Sequence, residues 1–444
     1  MVATAISAMC SLPAAADQLS DMEAKLNALS EQIMLLRASQ AQTKAVVDKE
    51  IDKPAIKGDM PGSIKIPGTQ TSAKFTGFVK ADYTYDLGHF TDDFVAGWRF
   101  SVDPKDMALK GSTRFYALQS QIGFETQTPT AMGLLKTNVR GDFYGDNHAD
   151  ERGTMNASYW RIRLAYAELG PWLAGQATTN FFYAPSFPDT LDVNSPTGQA
   201  LLRQSQLRYT TKVGGATLSV AAEDPFTDVA GTNSKGVSDT TPDITGRLVF
   251  AGDWGSVSAQ GVLRQLNNDT RTPTGGTFKS TTGYGIGFAG NLKTVGKDDL
   301  RFQVNFGDGI GRYSQAAIFH AAGVDPVTGA FVTTKSLGGF VAYRHFWADD
   351  LRSSVVAGYA RMENDPKYVN AINFGGPTWG TLAGMSGATD VLKSFHANLI
   401  WSPVKNADVG VEYMRGYRQR AVMSTEGGTD GTFERVQATG KFSF

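Results

Sequence analysis

The chain has 444 residues, with 42 Lys and Arg against 43 Asp and Glu, 49 Gly, 26 Phe and one Cys. A net charge of −1 argues against a generally basic nucleic-acid binder, and 11% aromatics argue against disorder. One Cys excludes an intrachain disulfide and a Cys-based zinc cluster, and the lack of a long apolar run after the N-terminus excludes a helical membrane span.

The first element is an export signal. Val2 to Leu12 is a short apolar run, followed by Pro13-Ala14-Ala15-Ala16-Asp17. Ala14 and Ala16 fit a small-residue cleavage site, so residues 1–16 read as a signal peptide and Asp17 as the mature start. No Lys or Arg precedes the run, which departs from the usual signal. Cys10 lies inside it, and its flanks Ser7-Ala8-Met9 are poor for lipidation.

A periplasmic coiled-coil helix over 17–53 follows. Leu19, Met22, Leu26, Leu29, Ile33 and Leu36 are spaced by three and four in alternation, the seam of a heptad repeat. Ser20 and Glu23 supply a helix start, and Pro54 stops the helix. Such a narrow stripe needs copies of itself, favouring a homotrimer; the other reading is a helix lying on the main domain. Residues 54–74, with Pro54, Gly58, Pro61, Gly62, Pro67 and Gly68, read as an extended Pro/Gly linker.

From 75 to 444 the period is two. Phe75, Val79 and Tyr83 alternate with Thr76, Lys80 and Asp82; Val409, Val411 and Tyr413 alternate with Asp408 and Glu412. Alternation alone does not choose between a soluble sandwich and a membrane barrel. The spacing does, because about sixteen strands are joined by long and short gaps in strict alternation. That rhythm predicts an all-β, up-and-down antiparallel transmembrane barrel with long loops on one side and tight turns on the other. Trp160, Tyr166, Trp172, Tyr284, Tyr343, Trp347, Tyr359, Trp401, Tyr413 and Tyr417 fall near predicted strand ends, where membrane interfaces favour amphipathic rings.

The last strand ends in Phe442 and Phe444 with alternate apolar positions before them. This is similar to the signal by which bacterial outer-membrane barrels are recognised for insertion. The order of coiled coil, Pro/Gly linker and sixteen strands resembles the trimeric porins of Gram-negative bacteria, and most closely the DcaP-like porins. The most specific local likeness is Gly175-Gln176-Ala177-Thr178-Thr179-Asn180-Phe181-Phe182 leading into Pro185-Ser186-Phe187-Pro188-Asp189-Thr190-Leu191-Asp192. The resemblance implies an outer-membrane location, contact with lipid and lipopolysaccharide, and passive uptake of small anions, often dicarboxylates. It also implies that the stretch after the fifth strand folds into the pore.

The polar faces of the predicted strands would line the lumen. They carry Lys80, Lys136, Arg140, Arg161, Arg163, Arg208, Arg247, Arg264, Arg301, Arg344, Arg352, Arg435 and Lys441. The acids there are Asp82, Asp86, Glu125, Asp142, Glu223, Asp243, Asp299, Asp408 and Glu412. Thirteen cations against nine acids is a basic bias inside a nearly neutral chain. Arg140, Arg161, Arg163, Arg208, Arg247, Arg264 and Arg301 are the expected pore-lining, solute-contacting residues, since planar guanidinium forks suit carboxylates. The plainer reading is that these arginines pair with the neighbouring acids and only hold the wall. At about 180–200, Phe181, Phe182, Tyr183, Phe187 and Leu191 need burial. The expectation is a constriction loop turned into the lumen, with Asp189 and Asp192 facing the arginine wall; packing on a neighbouring subunit is the other option.

No covalent chemistry, cofactor or metal is expected. Ser394, His396 and Asn398 share one strand face at spacing two, as in some barrel phospholipases, but alternation produces such triples often. The remaining histidines are scattered, and Gly283-Tyr284-Gly285-Ile286-Gly287 belongs to a strand, which does not suit a phosphate loop. The leading expectation is a porin for small anionic solutes. A sugar or mixed-solute porin is the alternative within transport. A structural anchor, tied to peptidoglycan through the N-terminal helix, is the alternative outside it.

Overall fold

The computed structural model describes residues 25, 27–44, 57–88, 101–102, 111–145, 159–194, 196–230, 239–269, 275–314, 321–324, 330–365, 389–421 and 428–444. The chain forms two units, Met1–Lys74 and Phe75–Phe444.

In the first unit, residues 27–44 are helical, and Leu29, Ile33 and Leu36 of the heptad seam stand exposed. Leu19, Met22 and Leu26, like the expected signal peptide, lie outside the described residues. The Pro/Gly segment differs from an extended spacer. From Lys57 it folds back on itself: the Gly58 N–H donates to Ser63 O at 3.0 Å, and Ile64–Lys65 pair antiparallel with Ala73 and Ser72. Gly62, with φ +73°, turns the chain there.

The second unit is a closed antiparallel barrel of sixteen strands. They are β1 (Ser72–Asp86), β2 in two pieces (Ser112–Tyr116 and Gln121–Thr130), β3 (Gly133–Asp142), β4 (Arg161–Leu169), β5 (Trp172–Thr178), β6 (Arg203–Val213), β7 (Ala216–Glu223) and β8 (Asp243–Gly252). The second half comprises β9 (Gly255–Asp269), β10 (Phe278–Lys293), β11 (Asp299–Asp308), β12 (Lys335–Phe346), β13 (Leu351–Glu363), β14 (Thr389–Val404), β15 (Ala407–Arg420) and β16 (Asp430–Ser443). β16 returns to β1, with Val79 opposite Phe442 and Asp86 opposite Arg435. Closure leaves no unpaired sheet edge, a condition that lipid imposes.

The seven short connections include two-residue turns at 131–132, 170–171, 214–215, 253–254 and 405–406. Gly170 and Gly214 take φ near +58° and +57° in two of them. The eight connections on the other side are longer, and one of them, 179–202, joins β5 to β6. Long and short alternate around the whole barrel.

The two faces divide as the period of two requires. Val79, Val304, Val341 and Val411 are exposed outward, while Asp82, Gln303, Glu412 and Gln437 are buried inward. Tyr166, Tyr284, Tyr359 and Tyr413 lie inside their strands, away from the expected strand ends, and Tyr166 also changes face. A bulge between Arg140 and Gly141 shifts the β3–β4 register, so Tyr166 stands opposite Asn138. The Asn138 amide donates to Glu125 at 3.1 Å, which puts both residues, and Tyr166 with them, on the inner face. Trp172 and Trp401 stay outward, each 49% exposed. On the long-loop side, Val229–Ala230, Ala322–Val324 and Phe331–Thr333 make a separate three-stranded sheet.

Candidate functional site

The 179–202 loop lies against the inner wall. Its aromatic and Pro-rich sequence makes it apolar on one side, and that side is buried. Phe181 packs with Ala200, Val262, Ile310 and Tyr313, its ring edge-on to Tyr313 at 6.0 Å. Phe182 meets Phe187 edge-on at 6.1 Å. Tyr183 sends its hydroxyl to Ser256 Oγ at 2.6 Å.

The polar backbone of the same loop is held by wall side chains from many strands. Arg247 donates to Phe182 O at 2.7 Å and Arg301 to Phe187 O at 2.6 Å. Asn398 donates to Asp189 O at 2.8 Å. Leu191 is gripped at both ends of its peptide units: its N–H donates to Glu412 Oε2 at 2.6 Å, and its carbonyl accepts from Lys80 Nζ at 2.9 Å. The Thr197 N–H donates to Ser394 Oγ, the Ala200 N–H to Gln303 Oε1, and Asn305 Nδ2 to Gly198 O. Gly198, at φ +88°, sits where a Cβ would come within 2.2 Å of Tyr359 O. Each bond satisfies a backbone group that the barrel has removed from water.

The root of the loop is fixed by a second network at the long-loop ends of β7 to β9. Glu223, 1% exposed, accepts from Thr179 Oγ1, Asn180 N, Gln204 Nε2, Thr245 Oγ1 and Tyr313 Oη. Arg264 is fully buried beside it, paired with Asp228 at 2.8 Å and donating to Ile310 O and Phe226 O. Burial pushes the Asp228 carboxyl above its ordinary range, against the pull of Arg264. Burial, with Glu223 and Asp243 nearby, likewise raises the Tyr313 phenol.

These placements sort the expected pore arginines. Arg264 belongs to the loop scaffold, because its buried guanidinium reaches no water path. Arg247 and Arg301 hold loop carbonyls. Arg140 pairs with Glu125 at 3.1 Å and donates to Thr76. Arg208 donates to Thr178 O and to Gln206 Oε1. Arg161 and Arg163 converge on one carboxylate: Arg161 meets Asp142 through Nε at 3.0 Å and Nη2 at 2.9 Å, and Arg163 through Nη1 at 2.5 Å. Asp189 meets the arginine face of the wall at two other residues. It is paired with Arg352 at 2.7 Å and with Arg344 at 3.3 Å. Asp192 is buried, 1% exposed. The Ser394, His396 and Asn398 face is occupied by the loop: Ser394 and Asn398 bind its backbone, and His396 Nδ1 lies 3.2 Å from Glu412 Oε1.

Beside the loop a cavity of about 380 Å³ is lined by Phe182, Phe187 and Asp189 of the loop and, among the charged residues of the wall, by Arg163, Arg203 and Lys441. Arg203 escaped the reading of the sequence. It stands at the first position of β6, where the preceding loop hides the strand start. Among the described residues neither Arg203 nor Lys441 forms an ion pair, although Lys441 lies 4.8 Å over the Phe78 ring. Glu412, Gln303 and Asn305, inward polar residues by period alone, gave no sign of holding a loop remote in sequence.

Residues 12–444 match the model of the DcaP outer membrane protein family. Porin Omp2b of Brucella canis is 25% identical over 205 residues, covering 44% of this chain and 52% of Omp2b. The chain thus spans about half the length of the curated relatives it matches. Among solved structures, the outer membrane channel DcaP of Acinetobacter baumannii is similar with a TM-score of 0.69 and 21% identity, covering 86% of this chain and 100% of that one. The anion-selective porin from Comamonas acidovorans is similar with a TM-score of 0.51 and 10% identity, covering 84% and 100%. At these identities the structural likeness concerns the fold. None of these relatives is an enzyme. A family match across nearly the whole chain, on a closed barrel with an apolar outer face, leaves one conclusion: this chain belongs to the DcaP outer membrane protein family and resides in the outer membrane.

Proposed function

We propose that this protein is a passive porin, in which the 179–202 loop constricts the water path and small anions, carboxylates and dicarboxylates among them, pass preferentially. The observation that carries the reading is the cavity beside the loop. Arg163, Arg203 and Lys441 bound it, and Arg203 and Lys441 have no ion pair among the described residues. Fixed positive charge along a narrow aqueous path lowers the barrier for anions. Arg247, Arg264 and Arg301 hold the loop and its root, whereas Arg352 lines the same cavity with its charge paired to Asp189 and Asp408. Planar-bilayer recording under a salt gradient tests this. The expected reversal potential is that of an anion-preferring channel. A cation-preferring or non-selective value defeats the anion reading, and permeation of neutral sugars at equal rates favours a mixed-solute porin.

The same reading surrounds the barrel with lipid and lipopolysaccharide and joins three copies through the heptad seam that runs through Leu29, Ile33 and Leu36. Native mass spectrometry of the L29S/I33S variant checks the seam; a trimer undiminished by these changes removes it. Deleting residues 17–53 checks the anchor alternative, which requires loss of envelope integrity with liposome permeability unchanged.

A further inference from the structure

Resting on the anion-channel reading, we propose that Asp142 is a positioning residue that sets the strength of anion preference by holding Arg163, which lines the cavity, together with its neighbour Arg161. Asp142 is fully buried at the end of β3. Its Oδ1 accepts from Arg161 Nε at 3.0 Å and from the Tyr144 N–H at 3.2 Å. Its Oδ2 accepts from Arg161 Nη2 at 2.9 Å and from Arg163 Nη1 at 2.5 Å. A carboxylate offers about four acceptor positions, and all are filled. The guanidiniums are not: each has five donors, of which Arg161 engages two and Arg163 one with this carboxylate. Arg203 adds a third guanidinium on the same cavity as Arg163.

These three cations and one carboxylate carry a net charge of +2, and Asp142 fixes the orientation of two of the guanidiniums. A solute carboxylate meets those remaining donors as a second, mobile counterpart of Asp142. Asp142 thereby does two opposed things. It orients the forks toward the path, and it weakens their hold, so that a bound anion leaves again. A channel needs the second property as much as the first. Asp142 itself is turned away from the solute and acts only through the arginines.

The test is the anion-to-cation permeability ratio of D142N and R161Q measured beside the unmodified protein in planar bilayers. D142N raises the local charge to +3, and R161Q lowers it to +1. One unit charge close to a permeating ion corresponds to about two- to fivefold in the ratio. D142N is expected to shift the ratio toward anions and to make anion conductance saturate at lower concentration. R161Q, whose side chain is 44% exposed and is not needed to fill the wall, is expected to shift it toward cations. D142E is expected to restore the starting value. A purely structural role for Asp142 would move D142N and R161Q in the same direction, and that result, or an unchanged D142N, overturns the proposal. If D142N does not reach a folded barrel, R161Q decides alone: a ratio that fails to move toward cations overturns it. A cation preference in the unmodified protein defeats the anion reading by itself, whereas the direction of the D142N shift judges Asp142 independently.

Discussion

Arg352 donates from Nε to Asp189 Oδ2 at 2.7 Å, tying the tip of the 179–202 loop to β13. Arg352 also reaches Asp408 on β15 through Nη1 at 3.2 Å, and Arg344 on β12 meets the same Asp189 carboxylate at 3.3 Å. The loop is thus fastened by ion pairs at its tip and, along its length, by hydrogen bonds to charged and neutral wall side chains alike. D189N removes the charge and keeps the size. A charge-assisted hydrogen bond is worth about 1.5–3 kcal/mol, less where water reaches it, as here. The expected result is a loosened loop tip, read as increased open-channel noise and higher single-channel conductance, with the barrel's thermal transition nearly unmoved.

Gly198 has no room for a side chain. A Cβ there would lie 2.2 Å from Tyr359 O and 2.6 Å from Gly339 N, and the residue's φ is +88°. G198A therefore combines backbone strain with overpacking, about 1–3 kcal/mol. The loop should lift from β12 and β13. Protease cleavage within 179–202 should accelerate, and the same change at the exposed turn residue Gly214, where nothing lies within 4 Å of a Cβ, should leave that segment protected.

The seam of the barrel rests on a buried ion pair. Arg435 Nε and Nη2 bind the two oxygens of Asp86 at 2.6 and 3.0 Å, and both side chains are at most 1% exposed. Removing one partner strands the other charge, at a cost of about 3–5 kcal/mol. R435M should lower the temperature at which the folded band is lost in cold-loaded gels. R435M combined with D86N should recover part of it, because no lone charge then remains.

The short turn before β11 gives a pH dependence with a definite sign. Asp298 accepts from His345 Nδ1 at 2.7 Å, the Phe346 N–H at 2.9 Å and Tyr343 Oη at 2.9 Å. The hydrogen bond from His345, then that from Phe346, holds its carboxyl down at about 2. A carboxyl depressed in the folded state stabilises the turn above its unfolded value of about 3.9, and that stabilisation is lost as pH falls through about 2. Trp347, stacked edge-on against His345 at 4.4 Å, reports the turn. Its fluorescence should change between about pH 4 and 2 as Asp298 takes up its proton. D298N should abolish that transition.

The barrel was legible from the sequence because hydrocarbon outside and water inside impose one simple rule, strict alternation. Each strand follows it residue by residue, apart from local bulges, independently of its partners. Val79, Asp82, Val411 and Glu412 each announce their face through their immediate neighbours. The alternation of long and short connections likewise belongs to the chain order alone and gave the sixteen crossings. Local exceptions escape such a rule. The bulge beside Arg140 turned Tyr166 inward, and the hairpin from Lys57 folded a segment that composition alone read as extended.

The work of each inward side chain was decided only by the tertiary structure. Period two places Arg161, Arg163, Arg264 and Arg301 on the same face without distinction. Whether an arginine meets a carboxylate, a loop carbonyl or open water depends on residues tens to hundreds of positions away, such as Asp228 for Arg264, Phe187 for Arg301 and Asp86 for Arg435. Side-chain pairing is a property of closure and of where the 179–202 loop comes to rest, and no local pattern encodes the end-to-end distances that closure sets.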